Sequence, residues 1–393
     1  MHRRALLFLA IACLTRAAEP ANVAKAGLDG ERLARIPARM KAFVEKGSTA
    51  GVVTLVARHG VVAAVDAVGW QDRETGKPMR ADTIFQIMSM TKPVTGVAVM
   101  MLAEEGKLAL NDPVEKHLPE FRGLWVIEKS DEKTRSLNKP ARPITIRDLM
   151  THTSGMGDYP EALRDPAARN RRTLTEVVGL FSQQPLEFEP GSRWLYSNTG
   201  INTLGRIVEV VSDQPFERFL EERVFKPLGM KDTFFFPPAD RLERIASVYT
   251  PEKGALKKAD VDLYRKGARL ASASGGLFST ASDMAAFYQM MLHGGTSNGR
   301  KILSKAGVEV MTALHTGTLP VTFGLTWAVL QKPEATLALQ SAGSYGHGGA
   351  YGTYGWVDPK KDLLGVFLMQ RTGGGGNDER NAFLAMTNAA VVD

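Results

Sequence analysis

Thr83–Ile84–Phe85–Gln86–Ile87–Met88–Ser89–Met90–Thr91–Lys92–Pro93–Val94–Thr95–Gly96–Val97–Ala98–Val99–Met100–Met101–Leu102–Ala103–Glu104–Glu105–Gly106 is the stretch on which the reading turns. An apolar run gives way at Ser89 to a nearly uncharged helical segment that closes at Gly106. Ser89 suits a helix N-cap, and Pro93 is tolerated because it falls in the first turn. Val97, Met100, Met101 and Ala103 leave no polar face before Glu104, so this helix is expected to be buried. Into its apolar start the chain puts one hydroxyl and one amine. They stand at i and i+3 on one helical face, so Lys92 can reach the Ser89 oxygen. Burial lowers the pKa of a lysine and makes it a base, and a serine becomes a nucleophile once such a base lies beside it. The same pair also reads as a capping serine and a snorkelling lysine, because S-x-x-K arises by chance in many chains. Other segments must decide.

Working outward, 393 residues is long for one core, and two lobes are expected. A hydrophobic share of 44% and a charged share of 23% are those of a soluble globular protein. Setting aside Arg3, Arg4 and Arg16 in the leader takes the formal charge from +7 to +4. The remaining basic residues alternate with acids, as in Glu128–Lys129–Ser130–Asp131–Glu132–Lys133. No basic stripe with interleaved aromatics appears, so no nucleic-acid partner is expected.

The N-terminus reads as a secretion signal over residues 1–18. Arg3 and Arg4 precede an apolar Ala5 to Leu14, with Ala10–Ile11–Ala12 or Ala17–Ala18 as cleavage sites. Ten apolar residues are too few to cross a bilayer. The one cysteine, Cys13, lies in this segment, so the mature chain forms no internal disulfide. Its context resembles a lipoprotein acceptor only weakly, since Ala10 stands where leucine is usual. The expectation is an exported protein, periplasmic or secreted, with lipid anchoring through Cys13 weakly supported.

Gly51 to Arg58 and Val61 to Val68 are β-rich runs joined by His59–Gly60, the pattern of a hairpin. A helix from about Ile36 to Glu45 precedes them. From Asn111 to about Leu270 helical segments alternate with polar, proline-containing loops, the longest at about 128–143. Further helices are expected from Thr145, over Phe216 to Phe225 until Pro227 and Gly229, from a cap near Ser282–Asp283 to Gly294, and over Asp378 to Ala390. Strand-like runs occupy Thr322 to Leu330, Gly352 to Val357 and Leu363 to Gln370. The expected fold is α+β. One antiparallel sheet flanked by helices is built from both ends of the chain, with an all-helical lobe inserted between them. In residue terms the α/β domain takes 19–88 plus 272–393 and the helical domain takes 89–271, with the active site between the two.

Two later segments bear on Ser89. Tyr196–Ser197–Asn198 places a phenol and an amide two residues apart, on one side of an extended backbone. A charged lysine nearby favours a phenolate, which would make Tyr196 a second base or proton shuttle. Tyr345–Gly346–His347–Gly348–Gly349–Ala350–Tyr351–Gly352–Thr353 surrounds a histidine with glycines, leaving a bare strand edge that a substrate backbone can approach.

Together these segments resemble the penicillin-recognising serine hydrolases: class C β-lactamases, DD-peptidases and family VIII carboxylesterases. Ser89–Met90–Thr91–Lys92 completes the first motif and Tyr196–Ser197–Asn198 the second, whereas His347–Gly348–Gly349 stands where the β-lactamases carry K-T-G. Leu149–Met150–Thr151–His152–Thr153–Ser154–Gly155, Gly275–Gly276–Leu277 and Gly355–Trp356–Val357–Asp358–Pro359 extend the likeness across nearly all of the chain after the leader. The resemblance implies an acyl-enzyme on Ser89, with Lys92 and Tyr196 handling the serine and leaving-group protons and the base unassigned between them. It implies that Asn198 holds Lys92 and the acyl side chain, and that His347, Gly348, Gly349 and Ala350 line the substrate site. The backbone N–H groups of Ser89 and Ala350 would receive the oxyanion. No cofactor and no metal are called for, and none of the seven histidines forms an H-E-x-x-H pair.

The third motif bears on substrate choice. Lysine there is a permanent cation for a carboxylate, whereas histidine is mostly neutral at pH 7 without an acid partner. The expected substrate is therefore a small neutral ester cleaved as a serine carboxylesterase, with weak β-lactamase activity on the side. The alternatives are a D-specific peptidase or class C-like β-lactamase acting on an amide, and a non-catalytic penicillin-binding or sensor protein. Gly295–Thr296–Ser297–Asn298–Gly299 mimics a nucleophile elbow, but lacks the buried strand before and the helix after it, so Ser297 reads as a surface turn serine.

Overall fold

The computed structural model describes residues 20–131, 134–261, 267–297, 299–336, 338–374 and 376–392. The leader and Cys13 lie outside the described residues. A seven-stranded sheet forms the frame. Its strands are β1 (Gly51–Arg58), β2 (Val61–Asp72), β3 (Lys77–Pro78), β4 (Ala328–Val329), β5 (Tyr345–Gly348), β6 (Tyr354–Asp358) and β7 (Leu363–Met369). Their order is β4-β5-β6-β7-β1-β2-β3, and every described pairing is antiparallel. The two ends of the chain thus meet at the centre, where Val52 pairs with Met369 and Arg58 with Leu363. The β1–β2 turn is the expected His59–Gly60, with φ of 53° and 73° as a two-residue hairpin turn requires.

Both faces of this sheet are covered, which explains why its strands read as unbroken apolar runs. Along β7, Leu363, Phe367 and Met369 enter one core, and Leu364, Val366 and Leu368 the other. On the first side lie α1 (Arg35–Glu45) and a C-terminal helix, Asn377–Ala389, closing over Trp356 and Phe367. On the second side α2 (Thr91–Glu104), α3 (Asn198–Ser212) and α4 (Ala281–Leu292) join the sheet in one continuous core. Residues Thr91 to Leu102 of α2 are all buried, as its uncharged sequence predicts.

Four local expectations are corrected. Ser89 is not the cap of α2: it sits in a 3-10 turn, Met88–Met90, and the helix begins one residue later without a side-chain cap. The strand expected over Thr322 to Leu330 shrinks to β4 because Thr326 adopts φ of +67°, which ends extended structure there. The long loop at 128–143 contains a solvent-facing hairpin, Val126–Ser130 with Arg135–Asn138, whose polar strands carry no alternation to read. The helix from Phe216 passes into a π-turn at Glu221–Phe225, carries Pro227 inside a last short turn, and ends at left-handed Gly229.

Candidate active site

Ser89 is held from both sides. Met88 before it has φ of +49°, a strained conformation for a non-glycine residue. The ribbon of Phe85–Gln86 with Phe278–Ser279 fixes the approach, and the Ile87 N–H donates to the Leu277 carbonyl at 3.0 Å. Lys92, the second residue of α2, is fully buried, and this burial holds its amine well below the usual lysine range. Its Nζ lies 3.0 Å from Ser89 Oγ, 2.8 Å from Asn198 Oδ1 and 2.7 Å from the Ser274 carbonyl. A neutral amine has two N–H groups and one lone pair. Asn198 and Ser274 offer acceptors only, so they take the two N–H groups and the lone pair is left for the serine hydroxyl. Asn202 on α3 fixes Ser274 in turn, accepting its backbone N–H at 3.1 Å and donating to its Oγ at 3.2 Å.

Tyr196 and Asn198 bracket the start of α3. Ser197 caps the helix by accepting the Gly200 N–H, so Asn198 becomes its first residue while Tyr196 stays outside. The phenol hydrogen-bonds Ser89, and Lys92 Nζ stands 4.6 Å from the ring centroid. The structure reverses the expectation of a phenolate. Lys92 carries no charge to favour one, and burial pushes the Tyr196 phenol up to about 12 despite the Ser89 hydrogen bond. The residue as a whole stays 38% exposed, so the burial acts on its hydroxyl end.

His152, quoted in the sequence as part of a motif but given no role, turns out to hold Tyr196 in place. It is fully buried with φ of +59°. Its carbonyl accepts the Leu195 N–H at 2.9 Å and its Nδ1 accepts the Ser197 N–H at 3.1 Å. The amides on either side of Tyr196 are thus fastened to one residue, whose ring also stacks on Tyr196 at 4.6 Å. With Nδ1 accepting, the proton sits on Nε2, which has no partner among the described residues. Burial above all, with the basic groups of Lys92 and His347 close by, keeps this imidazole neutral far below its ordinary range.

The third segment reaches Ser89 from β5. Gly349 lies so close to the serine turn that a Cβ there would stand 2.3 Å from the Ile87 carbonyl and 2.1 Å from Thr353 Oγ1. Thr353 Oγ1 donates to that same carbonyl at 2.9 Å, and the Gly349 N–H donates to the Thr353 carbonyl at 2.7 Å. This contact sets Ala350 beside Ser89 on one pocket wall. Among the described residues neither the Ser89 nor the Ala350 N–H has a protein acceptor. Two free backbone donors next to a nucleophile can receive an oxyanion. The expected bare edge is shortened, because β4 covers Tyr345 and Gly346 and leaves His347 and Gly348 open on that side. His347 Nδ1 donates to the Gly348 carbonyl at 2.8 Å, and burial, reinforced by Lys92, takes its pKa down to about 3. Gly348 ends the strand opposite Tyr354.

Comparison with known proteins identifies the family. The family model described as Beta-lactamase matches residues 36–389. The chain belongs to the beta-lactamase family. Protein Rv1367c of Mycobacterium tuberculosis is 34% identical over 370 residues, covering 87% of this chain and 90% of that protein. Esterase EstB of Burkholderia gladioli is 31% identical over 380 residues, covering 88% and 92%. The solved structure of EstCE1, a hydrolase with promiscuous acyltransferase activity, superposes with a TM-score of 0.76 at 26% identity over 92% of this chain and 98% of that one. The fold is accordingly that of the family's serine hydrolases, a large antiparallel sheet with helices.

In this member of the beta-lactamase family the pocket at Ser89 offers about 180 Å³ of accessible space and opens to solvent. Tyr159, Arg169 and Asn170 line it too, and nothing in the sequence singles them out, since they lie in a polar segment without periodicity. Ser297 is far from a nucleophile elbow. It lies in a two-residue ribbon, Thr296–Ser297 with Arg300–Lys301, and is 8% exposed, so it is a buried serine rather than the surface one expected. Among the described residues no cluster of His, Cys, Asp or Glu is placed to hold a metal ion.

Replacing Gly349 by alanine should push Ala350 away from Ser89 and lower kcat by about 10²- to 10³-fold, the usual effect of losing one oxyanion donor. Steady-state kinetics with circular dichroism as a folding control checks this. His152→Ala should lower kcat by about 10- to 100-fold with little change in KM, because it loosens Tyr196 without touching substrate. His152→Asn, which tolerates positive φ and keeps an acceptor, should recover part of that loss.

Proposed function

We propose that the chain is an exported serine carboxylesterase that cleaves short-chain esters through an acyl-serine. The observation that carries the reading is the lone pair of Lys92, left facing Ser89 Oγ once Asn198 and Ser274 have taken both N–H groups. Lys92 takes the serine proton as Ser89 attacks the ester carbonyl. The resulting ammonium lies over the face of Tyr196, where the ring's negative quadrupole stabilises it. The oxyanion is met by the N–H groups of Ser89 and Ala350. Tyr196, still a phenol at neutral pH, passes its proton to the departing alkoxide and is resupplied from Lys92. Water then repeats the steps on the acyl-enzyme.

Preference for esters over β-lactams and peptides rests on His347. It is neutral, and its one ring N–H is already given to Gly348, so no cation stands there to hold a carboxylate. Likeness to EstB and EstCE1 supports the same choice. The apolar leader supports export.

The test is kcat/KM of the purified mature chain on p-nitrophenyl butyrate, nitrocefin and a D-alanyl-D-alanine peptide, with Ser89→Ala as the blank. Ester turnover at least ten times the other two is expected, and dominant turnover of the peptide or β-lactam would replace this reading by the D-peptidase or β-lactamase one. The pH profile offers a second check. An amine with a depressed pKa is the active base above that pKa, so kcat/KM should fall toward acid as Lys92 gains a proton and stay level through neutral pH. A limb near the ordinary lysine value of 10.5 would mean that Lys92 is charged at rest.

A further inference from the structure

The pocket beside Ser89 holds one charged side chain among its described lining residues, Arg169. It enters from the short helix Pro166–Asn170. Its guanidinium carbon stands over the Tyr159 ring, 4.1 Å from the centroid, and Nη1 donates to the Leu163 carbonyl at 2.9 Å. Tyr159 is itself anchored, since its hydroxyl accepts from Asn202 Nδ2 at 3.1 Å. The arginine is therefore clamped by a ring face and one carbonyl, with no carboxylate among its partners in the described residues. A half-buried guanidinium with Nε and Nη2 unspent, lining the pocket beside Ser89, is preorganised for a two-toothed bond to an anion.

Resting on the ester reading, we propose that the preferred substrates are esters whose acyl part ends in a free carboxylate, and that Arg169 binds that carboxylate. The placement assigns it to the acyl side, because Asn198 and Arg169 line the same pocket while His347 lies outside its lining. The cation that the third motif lacks is thus supplied on another wall, where it selects a half-ester of a dicarboxylic acid rather than a β-lactam. A planar carboxylate suits the fork of guanidinium donors better than a lone ammonium would.

The experiment compares mono-p-nitrophenyl adipate with p-nitrophenyl hexanoate, two esters of equal chain length that differ in the terminal charge. The wild-type kcat/KM ratio should favour the adipate about 10-fold or more, and 0.5 M sodium chloride should reduce that preference. Arg169→Gln should lower the ratio about 10- to 100-fold, in line with a charge-assisted pair, and Arg169→Lys should fall between. Adipate should also inhibit the wild-type enzyme competitively at lower concentration than hexanoate, a measurement that needs no variant. A wild-type ratio at or below one, a ratio unmoved in Arg169→Gln, or equal inhibition by the two acids overturns the inference while leaving the esterase reading in place. Turnover of neither ester by the wild-type chain overturns both.

Discussion

The whole site depends on keeping one amine out of water. Lys92 is useful only while it is uncharged, and it is uncharged only while α2 remains buried from Thr91 to Leu102 between the sheet and α3. Two acceptors must also be present, since an amine with unsatisfied N–H groups in a dry core would be costly. Asn198 supplies one because Ser197 starts α3 at the right residue. The Ser274 carbonyl supplies the other because Asn202, one turn along the same helix, fastens it from two sides. The catalytic geometry is thus a by-product of helix-on-helix packing.

The site's other basic groups follow the same logic. His152 and His347 are both buried, and desolvation is the main reason that both are held neutral. Three basic side chains within one small region would repel one another if ionised, and here none needs to be at neutral pH. Their hydrogen bonds are directional instead. His347 turns its ring with the Gly348 carbonyl, and His152 holds the two amides that flank Tyr196. The electrostatic field that remains comes from backbone N–H groups and from Arg169 across the pocket.

How much of this could be read from the sequence depends on whether the signal was local. Ser89 and Lys92 share a helical face, so their contact followed from spacing alone. The hairpin at His59–Gly60 and the burial of α2 followed from turn chemistry and from the absence of charge. The sheet's composition from both chain ends was legible because its strands are apolar throughout. What escaped was set by tertiary contact. A lowered Lys92 amine was expected from its buried helix, but the burial that raises the Tyr196 phenol and rules out a phenolate was not. Arg169 lies in a segment with no period, and only the fold brings it to Ser89. The left-handed Thr326 cut short a strand whose composition favoured extension.

The central pairing of β1 with β7 carries a consequence for how the protein comes to exist. Val52 and Met369 are partners, so the middle of the sheet joins segments about 317 residues apart in the chain. Until the last strand is available, the β1–β2 hairpin presents apolar side chains on both faces and an open edge. Such long-range closure is slow, and the incomplete chain is prone to associate with itself. Ser89 and Lys92 lie between these two strands in the chain, so the packed surroundings that hold them together are complete only once the distant strand has joined.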